Sequence, residues 1–242
     1  MAARLWSVVF DCREPIGLGR WWAETLGWRV TKETPQEVTV EAAGEDRPFS
    51  CIFGPVPEPK VGKNRLHLDL ASASLAEQAA TVERLLGRGA RRIDIGQKHV
   101  PWVVLADPEG NEFCVLSPRE RYMGVGLLAA IVVDAADPPA LADFWAAAAG
   151  WPIGNRGDYG VSLHRPEGQP PDIDFVRVAD AKTVKNRVHL DVAPRLEDNH
   201  DAEVNRLIGL GARRVDVGQG PEVTWVVLAD PESNEFCVLR PR

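Results

Sequence analysis

Lys63-Asn64-Arg65-Leu66-His67-Leu68-Asp69-Leu70 returns further along the chain as Lys185-Asn186-Arg187-Val188-His189-Leu190-Asp191-Val192, an offset of 122. A second stretch, Trp102-Val-Val-Leu-Ala-Asp-Pro-Glu-Gly-Asn-Glu-Phe-Cys-Val-Leu116, returns as Trp225 to Leu239 with Ser233 in place of Gly110, now at 123. One residue has been gained between the two, in the loop near Gly220-Pro221. A period this long does not suit a solenoid of short repeats and does suit whole domains in tandem. The chain therefore reads as two copies of one domain, 1–117 and 125–242, joined by a charged linker, 118–124, that ends in glycine.

Each copy carries the same order of signals. In the first, Leu5 to Phe10 reads as a strand, and Pro15 to Leu26 as a helix with Leu18, Trp21, Trp22 and Leu26 on one face and Gly27 at its end. The second copy repeats this helix with Leu141, Phe144, Trp145 and Ala148 before Gly150. Short strands are expected around Val38 to Glu41 and Phe49 to Phe53, then Arg65 to Leu70. A second helix follows, opened by the capping pair Ser74 and Glu77 and closed by Gly87 and Gly89. Strands Arg92 to Ile95, Trp102 to Ala106 and Glu112 to Leu116 complete the copy, the last two joined by the turn Asp107-Pro108-Glu109-Gly110-Asn111. The fold class is α+β, with a βαβββ unit twice in each copy.

Composition bounds the partners. A formal net charge of −7 argues against nucleic acid, whose phosphates are bound by a surplus of Lys and Arg. Arg91-Arg92 and Arg213-Arg214 fall at matching places and read as solvated strand starts. The longest apolar run, Leu127 to Val133, is too short to span a bilayer, and the N-terminus lacks a secretory leader pattern. Four scattered cysteines suit a reducing compartment, so a cytoplasmic protein is expected, either a monomeric pseudo-dimer or a homodimer.

The order of elements, the close Trp22-x4-Gly27-Trp28 of the first helix and the Asp-Pro-Glu-Gly-Asn turn before the last strand resemble the vicinal oxygen chelate superfamily. Lys-Asn-Arg-x-His-Leu-Asp is similar to its glyoxalase-like branch. The resemblance covers nearly the whole chain, twice, and implies that a pair of βαβββ modules in each domain rolls a curved mixed sheet into a cup, with helices outside and the ligand in the concavity.

Metal enzymes of that superfamily take four ligands from first and last strands. Carried over position by position, the first-strand ligand falls near Ser7 and Ala130, which are poor donors. The fourth-strand position falls on Cys51 or Phe53 and on Ile173 or Phe175, of which only Cys51 can bind. The fifth-strand histidine falls on His67 and His189, and the final glutamate on Cys114 and Cys237. A His/Cys pair is half a zinc site. No metal residue is assigned and no cofactor expected; a divalent metal in the first copy, with Cys51 added, is the lesser alternative.

Period-two alternation puts Arg65, His67 and Asp69 on one face of their strand and Leu66, Leu68 and Leu70 on the other. The polar face is expected in the cup, with His67 and His189 as bases and Arg65, Asp69, Cys114 and Trp102, or Arg187, Asp191, Cys237 and Trp225, around the ligand. Turn chemistry accounts for Asp107, Asn111, Asp230 and Asn234. Trp21, Trp22, Trp28, Trp145 and Trp151 are read as core, and His99, His164 and His200 as surface or loop residues. Glu112 and Glu235 alternate in phase with the cysteines and are expected near the rim.

The function this favours is binding or sequestration of a hydrophobic or natural-product small molecule, as in bleomycin-resistance relatives. The alternatives are a metal-free isomerase or lyase using a strand histidine as general base, a metal-dependent lyase or dioxygenase, and a module that mediates assembly.

Overall fold

The computed structural model describes residues 3–42, 49–124, 126–166, 168 and 170–242. The first repeat contains β1 (Arg4–Cys12), α1 (Pro15–Leu26), β2 (Arg29–Thr34), β3 (Glu37–Glu41) and β4 (Ser50–Pro55). It continues with β5 (Leu66–Leu70), α2 (Leu75–Leu86), β6 (Arg91–Arg92), β7 (Val103–Ala106) and β8 (Glu112–Val115). After a 3-10 turn, Glu120–Tyr122, the second repeat gives β9 (Leu128–Ala135), α3 (Pro138–Ala149), β10 (Ile153–Arg156), β11 (Gly160–Leu163) and β12 (Asp172–Arg177). The last module is β13 (Val188–Ala193), α4 (His200–Gly209), β14 (Arg213–Arg214), β15 (Val226–Ala229) and β16 (Glu235–Val238). The sequence reading passed over β2, whose residues are mostly exposed and so carry no burial pattern.

Four βαβββ modules assemble into two eight-stranded mixed sheets, each made of a module pair. The pairing crosses the repeats. Sheet A runs β14-β15-β16-β13-β1-β4-β3-β2, joining the first module to the fourth, and sheet B runs β10-β11-β12-β9-β5-β8-β7-β6, joining the second to the third. The seams are antiparallel: Val9 opposite His189 in sheet A, and His67 opposite Val132 in sheet B. Repeat boundaries at 1–117 and 125–242 therefore do not coincide with the sheets. The local code of the two repeats is nearly the same, so strand identity alone does not decide which copy a strand joins.

The helices fix these sheets from behind. α1 starts at Pro15, whose missing N–H costs nothing at a first helical turn, and ends at Gly27 in the left-handed region (φ 69°). α3 follows the same pattern, from Pro138 to Gly150 (φ 72°). α1 lies close on β3: a Cβ at Gly19 would meet Val38 Cγ1 at 2.5 Å. Leu66, Leu68 and Leu70 are buried in the helix-side core with Phe10, Phe53 and Phe113, as the alternation required. Trp21, Trp22, Trp145 and Trp151 are buried there too, and Trp28 packs against the same core.

The turns joining the last two strands of the second and fourth modules do more than reverse the chain. Asp107 is fully buried and accepts from Trp22 Nε1 (3.1 Å), Asn111 Nδ2 (2.9 Å), Asn111 N (2.9 Å) and Glu109 N (2.9 Å). Asp230 accepts from Trp145 Nε1 (3.1 Å) and from Asn234 in the same way. Each turn thus ties the second half of its repeat to the helix of the first half. His200 departs from the sequence reading: it is buried, with Nε2 3.1 Å from Val238 O. Its repeat equivalent is Gln78, whose Nε2 donates to Val115 O at 2.9 Å, so a glutamine and a histidine do one structural job.

Candidate functional site

Along β13 the side chains alternate between the core and the concave face of sheet A. His189 and Asp191 face the concavity, and β16, parallel to β13, places Cys237 beside Asp191. His189 Nε2 lies 3.6 Å from Asp191 Oδ1 and 3.6 Å from Cys237 Sγ. Asp191 Oδ2 accepts from Ser7 Oγ of β1 at 3.3 Å, while Oδ1 is buried without a hydrogen-bond partner. Burial pushes the Asp191 carboxyl up to about 6, against the nearby His189 and the donors Cys237 and Ser7. Burial also pushes the Cys237 thiol well above the ordinary cysteine range.

Sheet B repeats the cluster. His67 Nε2 lies 3.4 Å from Asp69 Oδ1, which again has no hydrogen-bond partner, and Cys114 completes the set. In both sheets the three donor atoms lie within 4.8 Å of one another. The Cys114 thiol is raised chiefly by burial, then by the Asp69 charge.

These clusters are not nucleophilic triads. In a Cys–His–Asp relay the imidazole uses one nitrogen for the thiol and the other for the carboxylate. In sheet A both contacts fall on the same nitrogen, and the raised thiol is a poor nucleophile. The separations that meet at the histidine nitrogen, 3.6 and 3.6 Å in sheet A and 3.4 Å in sheet B, suit a tetrahedral zinc-class site, whose ligands, about 2.0–2.3 Å from the ion, stand roughly 3.3–3.7 Å apart, and the remaining separations stay within 4.8 Å. The residues present fit such an ion with one position open. Asp69 and Asp191 are the donors the position-by-position reading had not counted, because they lie off the superfamily's ligand positions.

The remaining expected residues divide. Trp225 lines the sheet-A concavity, with Nε1 donating to Gln219 Oε1 at 2.9 Å. Trp102 is its counterpart, bonded to Gln97 at 2.8 Å. Arg65 and Arg187 do not join the clusters. They stand at the ends of β5 and β13, where Arg65 O accepts from Asp134 N and Arg187 O from Asp11 N, and their side chains reach to the junction between repeats. There Arg65 donates to Asn234 Oδ1 (3.0 Å), Asp134 O (2.6 Å) and Glu232 (3.0 Å), and Arg187 donates to Glu58 O (2.7 Å). Cys51 and Phe53 of β4, and Ile173 and Phe175 of β12, all point into the helix-side core, so Cys51 adds nothing to a cup. Glu112 and Glu235 are held by Lys60 and Lys182, at 2.8 and 2.7 Å.

The two concavities differ in what fills them. In sheet A an open cavity of about 560 Å³ stands over His189, Asp191 and Cys237, walled by Val9, Ile52 and Leu239. In sheet B the positions equivalent to Ser50 and Ile52 are Asp172 and Asp174, and Tyr122 from the inter-repeat segment packs against Cys114, Leu116 and Ala129. No sequence signal marked Tyr122, because the linker repeats nowhere.

Paired βαβββ modules rolled into polar-floored cups define a fold of the vicinal oxygen chelate class. A family model for the glyoxalase-like domain matches residues 7–116 and 130–239, and the chain belongs to that family. Glyoxalase I from Zea mays superposes with a TM-score of 0.67 at 13% identity, over 99% of this chain and 92% of that one. A putative dioxygenase from Bacillus subtilis gives 0.64 at 13% identity, over 98% and 84%. At such identities the likeness shows the fold alone. No curated protein sequence matches this chain. Among the described residues no helix is long and apolar enough to cross a membrane.

Proposed function

We propose that this chain is a glyoxalase-like binding protein that holds a small, largely hydrophobic molecule in the cup of sheet A. The observation that carries this is the open cavity itself: about 560 Å³, with Val9, Ile52, Trp225 and Leu239 lining it above the His189, Asp191 and Cys237 floor, and charged side chains such as Glu37, Lys185 and Arg242 also on its lining. Volumes of roughly 300–1,000 Å³ with a few convergent polar groups are those of small-molecule sites. Trp225 supplies a flat apolar surface, and its indole N–H is already bonded, so the ring is oriented before ligand arrives.

The test is a fluorescent apolar probe and its displacement by a compound library. Trp225→Ala is expected to weaken binding about tenfold or more, while His189→Gln changes it little. If His189→Gln instead abolishes a turnover found with any displacing compound, the cup is catalytic and the histidine is its general base.

A second reading is favoured by the donor spacing: the same cup holding a zinc-class cation. His189, Asp191 and Cys237 would be its ligands in sheet A, and His67, Asp69 and Cys114 in sheet B. A cation there supplies a Lewis acid that polarises a carbonyl or activates water. The protein's own part is to hold the three donors in register on adjacent parallel strands and to keep the floor dry. Each module finds its complement within the chain, so we take the working unit to be the monomer.

A further inference from the structure

The cup of sheet B contains part of its own chain. Tyr122 is buried in a cluster with Ala71, Cys114, Leu116 and Ala129, with Trp102 and Val104 packed against it. The neighbouring Arg121 donates Nε to Asp172 Oδ2 at 2.8 Å and Nη2 to Asp172 Oδ1 at 2.6 Å. Asp172 is itself buried, its side chain only 2% exposed. A bidentate pair on a buried carboxylate is a recognition geometry, since removing the guanidinium would leave a charge in the wall of the cup.

The surroundings carry two extra carboxylates at positions that are uncharged in sheet A. Asp172 and Asp174 of β12 stand where β4 has Ser50 and Ile52, and Asp69 adds a third carboxylate close enough for its charge to be felt at Asp174. Asp69 Oδ1 and Asp174 Oδ1 are buried without hydrogen-bond partners. Buried acceptors left open in this way favour an incoming donor or cation. The aromatic and aliphatic lining takes a ring, and the carboxylates take a positive charge beside it.

We propose that the cup of sheet B is a binding site for a cationic aromatic group, occupied in this chain by Arg121 and Tyr122 as a built-in ligand. A soluble molecule that carries a guanidinium or ammonium beside an aryl ring takes their place when the segment withdraws. The inference is independent of what sheet A binds.

The chain has two tyrosines, which makes the test direct. Tyr159 is 84% exposed and serves as the internal standard. In the wild-type chain tetranitromethane is expected to nitrate Tyr159 and spare Tyr122, read by peptide mass spectrometry. Arg121→Ala with Tyr122→Ala empties the cup, and this variant is expected to bind acetyl-Arg-Tyr-amide one to one by titration calorimetry, whereas the wild type does not. Adding Asp172→Asn should weaken that binding roughly tenfold or more, the loss expected for a charge-assisted bidentate contact. Acetyl-Glu-Tyr-amide should not bind.

Nitration of Tyr122 as fast as Tyr159 overturns the proposal. So does a folded, emptied variant that ignores the dipeptide at millimolar concentration, or that binds the glutamyl peptide equally well. If the double variant does not fold, Asp172→Asn in the otherwise wild-type chain decides the matter: Tyr122 must become reactive, and continued protection refutes the proposal.

Discussion

His189 Nε2 and Cys237 Sγ lie 3.6 Å apart across two adjacent parallel strands, with the unpartnered Oδ1 of Asp191 at the same distance from the same nitrogen. If this is a cation site, cobalt(II) added to chelator-treated protein should produce a near-ultraviolet thiolate-to-metal absorption band. Cys237→Ser and Cys114→Ser should each remove part of it and together all of it. A spectrum unchanged from aqueous cobalt would exclude the metal reading and leave the apolar binder.

The crossed pairing of modules predicts the behaviour of half the molecule. A fragment spanning 1–124 carries β1 and β5 but lacks β13 and β9, their seam partners. Two such fragments can satisfy each other by pairing β1 with β5 of the second copy, because those strands match in pattern. The isolated repeat is therefore expected to elute as a dimer by light scattering, while the full chain elutes as a monomer. A folded monomeric fragment would show that each repeat can close a sheet by itself.

Asp107 and Asp230 are surrounded by donors, four hydrogen bonds converging on Asp107. An asparagine at either position must turn an amide N–H₂ toward one of those donors. Asp107→Asn and Asp230→Asn should each destabilise the chain by about 1–3 kcal/mol in urea unfolding. Their similar cost would confirm that the two turns do equivalent work; a neutral substitution would show that water takes over the lost contact.

Burial, helped by the charges of Asp69 and Asp172 and opposed by Ser162 and Arg119, pushes Asp174 up to about 6 from 3.8. The folded state therefore holds this proton more tightly than the unfolded chain. Its contribution to stability is fully present below about pH 4 and is lost as pH rises through about 6. Asp174→Asn removes the titration, so wild type relative to variant should lose on the order of 2 kcal/mol between those limits. Unfolding free energies at several pH values check this; a constant difference would mean that the carboxyl titrates normally.

Much of this was legible in the residues. The helix Pro15 to Leu26 was found to the residue because proline, a four-residue apolar spacing and a left-handed glycine are local signals. His67 and His189 were placed on the polar face by period-two alternation, and Cys114 and Cys237 were marked by the position that the superfamily resemblance gives its last-strand ligand. The arginines of the same triplets were misplaced for a physical reason: they stand at the strand ends, where Arg65 O still accepts from Asp134 N and Arg187 O from Asp11 N, but their long side chains reach partners far along the chain that local alternation does not specify.

The sequence by itself determined the modules, their number, their order and the polar face of each key strand, since hydrophobic period, caps and turns act over a few neighbours. Which modules share a sheet was decided only in three dimensions. The repeats offer nearly identical edges, and the choice of β13 for β1 and of β9 for β5 depends on how all four modules close together. Tertiary structure also brought Asp172 of the second repeat under Arg121 of the linker, and set Tyr122 against Cys114. Neither contact leaves a periodic trace, because a buried charge or ring is specified by the cavity that receives it and not by its neighbours along the chain.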